Sequence, residues 1–68
     1  MIKNQYQKAI NMMRAGIELY SDVANYWDTL ACLLYESTNK EEAIKAIYQA
    51  IEINPDEKYY KKTLKKFK

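Results

Sequence analysis

Histidine is absent from this 68-residue chain, and glycine, proline and cysteine occur once each. The missing imidazole removes the side chain whose charge changes most readily near neutral pH. A single cysteine, Cys32, rules out an internal disulfide, and with no histidine it leaves no zinc site of the usual thiolate and imidazole kind. Gly16 and Pro55 are too few for a collagen, a flexible linker or a turn-dense all-β domain. No apolar run approaches the roughly 18 residues needed to span a bilayer. Met1-Ile2-Lys3-Asn4 has no apolar stretch or small-residue cleavage site, so it does not read as a signal peptide. With one unpaired thiol, a reducing compartment is expected, and a cytoplasmic location follows. Nor is there a glycine-rich phosphate loop, a metal-ligand cluster or a nucleophile–base pair. The expectation is a protein with no catalytic residues, no cofactor and no metal.

What remains is 49% apolar, with seven tyrosines and a net charge of +2. The charge is segregated. Residues 1–14 carry +3, residues 15–57 hold all nine acids and sum to −7, and residues 58–68 hold six lysines and no acid. A basic tail can contact nucleic acid or an anionic membrane. This one has no arginine, and its aromatics fall at core-like spacing, so a solvated helical face is the simpler reading. The tyrosines could stack bases, but they suit packing and groove lining better. Neither nucleic acid nor membrane is the expected partner. A chain this short buries only about 60% of the surface its unfolded form exposes, so a free-standing core is marginal.

Four segments repeat apolar residues at spacings of three and four, the helical period. Tyr6, Ala9, Ile10, Met13, Ile17 and Tyr20 mark the first, with Asn4 and Gln7 as a capping box. The second follows Ser21-Asp22, both good cap types, with Val23, Trp27, Leu30, Ala31 and Leu34 as its stripe. The third is expected to open on a box of Asn39 and Glu42 and to bury Ala43, Ile44, Ile47, Ala50 and Ile51. The fourth is expected to start with Asn54 and Glu57 as caps and Pro55 in its first turn. Its stripe is Tyr60, Leu64 and Phe67. No segment alternates with period two, and links of two to five residues imply antiparallel neighbours. The fold class is therefore all-α, four antiparallel helices.

Sliding the chain by 34 residues sets Ala9-Ile10 on Ala43-Ile44, Met13 on Ile47, and Gly16-Ile17 on Ala50-Ile51. It also sets Tyr26 on Tyr60 and Leu30 on Leu64. Thirty-four residues is the helix-turn-helix period of the tetratricopeptide repeat. Trp27-x-x-Leu30-Ala31-x-x-Leu34 resembles that family's Trp-x-x-Leu-Gly-x-x-Tyr. Ala43-x-x-x-Ile47-x-x-Ala50 looks like its Ala-x-x-x-Phe-x-x-Ala, and Pro55 completes the pattern. Thr38 and Lys40 depart from it, standing where the family usually has a turn glycine and an aromatic. The resemblance implies a solenoid fragment: residues 1–23 as the second half of one repeat, 24–57 as a complete repeat, and 58–68 as a partial repeat or capping helix. Met1–Asn4 would end the missing first helix of the preceding repeat. Repeats of this kind stack because one hairpin cannot bury both its faces.

The resemblance further implies a protein-interaction module, since the first helix of each hairpin lines a peptide-holding groove in that family. Carried onto this chain, the groove candidates are Asn25, Asp28, Thr29, Cys32, Tyr35 and Glu36, then Tyr59, Lys62, Thr63 and Lys66. Lys62 and Lys66 lie one turn apart and suit a carboxylate or an acidic peptide. Asp28 and Cys32 break the Lys and Asn set of the subgroup that clamps a chaperone's C-terminus. An unpaired first helix leaves Tyr6, Ile10, Met13 and Ile17 as an expected self-association face, hence a homodimer. Two alternatives stand beside the binding module. One is a structural C-terminal cap of a longer repeat protein, or a helical tail on an enzyme. The other is an anionic nucleic-acid or membrane contact through the lysine-rich last helix.

Overall fold

A computed structural model describes residues 2–68, with side chains from Gln5 onward. Four α-helices follow one another: α1 (Ile2–Leu19), α2 (Ala24–Glu36), α3 (Lys40–Ile53) and α4 (Lys58–Phe67). Each packs on the next in chain order, as three- and four-residue links require. The Cα body measures 37 × 28 × 15 Å. Its 15 Å thickness fits two helix layers at the usual spacing of about 8–10 Å.

Small residues let the helices approach. Ala31 of α2 and Ala43 and Ala50 of α3 are fully enclosed, and Ala46 nearly so. Leu30, Leu34 and Ile47 fill the space around this seam. α4 has only ten residues, below the length at which an isolated helix holds in water. It depends on burying Tyr60 and Phe67, each worth about 1.5–3 kcal/mol. The Phe67 ring stacks on Tyr35 of α2 at 4.5 Å and 18°. Lys68 donates to the Tyr48 hydroxyl at 3.1 Å and ties the end of α4 back to α3.

The helix starts differ from expectation. α1 begins at Ile2, so Asn4 lies inside it and does not cap it; the Asn4 side chain and Met1 fall outside the described residues. Ile2–Asn4 belong to α1 rather than to the end of a preceding helix. The N-caps of α2, α3 and α4 are Val23, Asn39 and Glu57, and none makes a side-chain cap hydrogen bond. The Asn39 box stays open, and Pro55 sits in the α3–α4 turn, ahead of α4 rather than within it. The Trp27 indole N–H donates to the Ser21 carbonyl at 2.9 Å and closes the α1–α2 link.

The end of α2 is a Schellman turn. Asn39 N–H reaches the Leu34 carbonyl at 2.8 Å and Thr38 N–H reaches that of Tyr35 at 3.1 Å. Such a turn needs a left-handed residue, and Thr38 supplies it at φ 66°. Glycine takes this conformation without cost, whereas a β-branched residue is strained there. The departure from the family's turn glycine therefore falls at the one place where backbone geometry calls for it.

Candidate protein-binding face

α2 and α4 lie side by side, because the aromatic stack of Tyr35 and Phe67 spans them. Asp28 of α2 is only 5% exposed and faces Thr63 and Tyr60 of α4. Its Oδ1 has no hydrogen-bond partner. Burial pushes the Asp28 carboxyl above its ordinary value of 3.8, against the pull of the neighbouring Thr63 hydroxyl. That hydroxyl has one proton and donates it to the Tyr59 carbonyl at 3.1 Å, so burial prevails. The charge of Asp28 in turn raises the Tyr60 phenol, whose main cause is again burial.

One turn along α2, Cys32 is half-buried. Burial and then Asp28 raise its thiol, Lys66 opposes them, and Glu36 adds to the rise. A thiol held protonated is a poor nucleophile and a poor metal ligand. Among the described residues, no group of three or more cysteine, aspartate or glutamate side chains is placed to hold a metal.

The residues read from the sequence as a groove thus divide. Asp28 and Thr63 are buried between α2 and α4, and Tyr35 is occupied by Phe67. Glu36 is exposed but turns toward α1, where the Tyr6 hydroxyl donates to it at 3.5 Å. Asn25, Thr29, Lys62 and Lys66 are exposed, and so is Tyr59, whose ring stands edge-on to Tyr60 at 6.0 Å. The open part of this face is consequently hydroxyl, amide and ammonium, and its acid is hidden below.

The proposed self-association set fares otherwise. Ile10 and Ile17 are buried, and Tyr6 and Met13 are half-buried and packed on the core. α2 covers this side of α1, so it is not an open face. Among the described residues, the exposed large apolar side chains of α1 are instead Met12 and Leu19, followed by Tyr20 in the link. Tyr20 does not join the buried stripe, because α1 ends at Leu19.

A feature with no signal in any single helix lies between α1 and α3. A cleft of about 440 Å³ opens there, floored by Ile17 and Leu30, with Trp27 in its wall and Arg14, Glu42 and Lys45 around it. A second cleft of about 430 Å³ adjoins it past Arg14, toward Gln7 and Asn39. Periodicity marks which side of a helix is apolar but not how far apart two non-consecutive helices settle. Among the described residues, no helix is long and apolar enough to cross a membrane.

Residues 24–57, half of the chain, match the sequence profile of the family described as Tetratricopeptide repeat. No curated protein and no solved structure matches the chain.

Proposed function

The chain belongs to the tetratricopeptide repeat family, and from that premise we propose that it is a non-catalytic module binding a protein segment along the α2–α4 face. Repeats of this family generally mediate protein–protein interaction. The observation that carries the reading is the pair Lys62 and Lys66, exposed one turn apart on α4, with Lys66 close enough to Cys32 of α2 to oppose the rise of its thiol. Two ammonium groups at that spacing suit carboxylates of an acidic segment, while the polar side chains of α2 offer hydrogen bonds to its backbone. Buried Asp28 lies under this face and disfavours an acidic side chain that penetrates deeply. The preferred segment therefore lies across the surface. The lone, unpaired Cys32 suits a reducing compartment, which supports a cytoplasmic location.

The test is fluorescence anisotropy with labelled acidic, neutral and basic peptides. The acidic set is expected to bind best, to weaken as salt rises, and to lose most of its affinity to Lys62→Gln with Lys66→Gln. Equal binding of all three sets, or an unaffected double variant, would refute the reading.

A second reading has its own observation. The 34-residue shift sets Lys61 on Trp27 and Lys65 on Ala31. Lysines at these places give α4 the polar outer face with which repeat stacks end. Under this reading α4 is a structural cap, and the double variant leaves every interaction of the parent protein intact.

A further inference from the structure

We propose that the outward face of α1 is a self-association surface on which α1 of a second copy packs antiparallel, about a two-fold axis. Met12, Ala15 and Leu19 follow at i, i+3 and i+7 and form one exposed stripe. Met12 is 68% exposed and Leu19 77%, the most open large apolar side chains among the described residues. The 34-residue shift carries Met12 onto Ala46, which is buried in α3. The same stripe is thus covered at its start in α3, which packs on both α2 and α4, and left open in α1, which packs mainly on α2.

Two observations choose the occupant. A head-to-tail stack would lay the outer side of α4 against α1. There Lys61, Lys65 and Lys68 replace Trp27, Ala31 and Leu34 of the repeat pattern. That would set lysines on an apolar stripe already flanked by Lys8, so end-to-end growth is disfavoured. Charge complementarity then favours a two-fold pair. Lys8 and Glu18 flank the stripe near its opposite ends, both exposed. A parallel pair sets Lys8 against Lys8. An antiparallel pair centred between Met12 and Ala15 sets Met12 over Ala15 of the second copy and Lys8 over Leu19, so that the Lys8 stem lies along Leu19 and its ammonium meets Glu18, one residue away, an acid that the lysines of a head-to-tail stack lack. The large side chain meets the small one on both sides of the axis, as closed two-fold symmetry requires. A single helix face falls short of the roughly 800 Å² per partner of a standard interface, so the pair forms in a concentration-dependent way.

Sedimentation equilibrium on the whole chain, from about 10 μM to about 1 mM, spans the affinities such an interface supports. A rise from one-chain to two-chain mass is expected. Met12→Lys and Leu19→Lys should each hold the mass at one chain. Circular dichroism should stay helical for both, since neither side chain contributes to the core. Lys8→Glu alone and Glu18→Lys alone should each weaken the pair several-fold, and the double exchange should restore it. A one-chain mass throughout the range would overturn the proposal. So would a double exchange no stronger than the single ones, because a parallel or head-to-tail pair gains nothing from it.

Discussion

α1 and α3 are two versions of one pattern, thirty-four residues apart, yet they are buried to different depths. α3 encloses Ala43, Ala46, Ile47 and Ala50, whereas among the described residues α1 encloses only Ile10 and Ile17. α3 packs on both α2 and α4, while α1 leans mainly on α2. The same apolar spacing therefore means different things in the two places. It marks which residues can be buried; the number of neighbouring helices decides which are.

The sharpest way to press this comparison is to truncate equivalent residues. Ile47→Ala in α3 empties a fully enclosed site and is expected to cost about 2–5 kcal/mol. Met13→Ala, its counterpart in half-buried surroundings, should cost less, about 1–2 kcal/mol. Urea denaturation of the two variants checks the difference, and equal losses would show that α1 is as well covered as α3.

The next effect in size concerns the turn that joins the α2–α3 hairpin. Thr38→Gly relieves a left-handed β-branched residue and should raise stability by about 1 kcal/mol. A higher melting temperature is the expected result. A slightly smaller gain should come from making α1 resemble α3. Gly16 stands where α3 has Ala50, and a Cβ at Gly16 would meet the Tyr26 ring at 3.7 Å, an ordinary contact. Gly16→Ala should therefore stabilise α1 by about 0.5–1 kcal/mol, read again in urea. A loss would mean that Tyr26 holds its place through the missing methyl.

The last prediction is defined by its sign. Asp28 holds its proton more tightly folded than unfolded, because burial raises its pKa. Stability from this group is full below the unfolded-state value and is lost as pH rises through the folded-state value. Asp28→Asn should flatten that decline and narrow the gap between melting temperatures at pH 4 and pH 7. A gap left unchanged would place the charge in contact with water.

Much of this was legible in the sequence. Apart from Tyr20 and Val23, which fall in the α1–α2 link, the four stripes lie on the helices, and Leu30, Ile47, Tyr60 and Phe67 belong to the core they outline. The caps were less legible, since Asn39 and Asn54 carry the right chemistry but their side chains make no cap hydrogen bond. Side-chain type records capability, while the entry angle of each helix is set by packing such as Trp27 on the α1–α2 link. The candidate face was legible in outline only. Lys62 and Lys66 are open, but Asp28 and Thr63 bury each other because α4 folds back beside α2, a long-range fact that no local spacing encodes. The exposed side of α1 was misplaced for the same reason: covering Ile10 and Ile17 turns Met12 and Leu19 outward.

The three-residue link between α2 and α3 also bears on how fast the molecule forms. It keeps the partners of the alanine seam close along the chain, and contacts of short sequence separation are the ones that let small helical proteins fold in microseconds to milliseconds. The α2–α3 hairpin is thus the natural nucleus, with α1 and α4 adding to it in nearest-neighbour steps. Amide hydrogen exchange should be slowest in α2 and α3 and fastest in α4, so that the lysine-bearing helix opens more often than the seam beneath it.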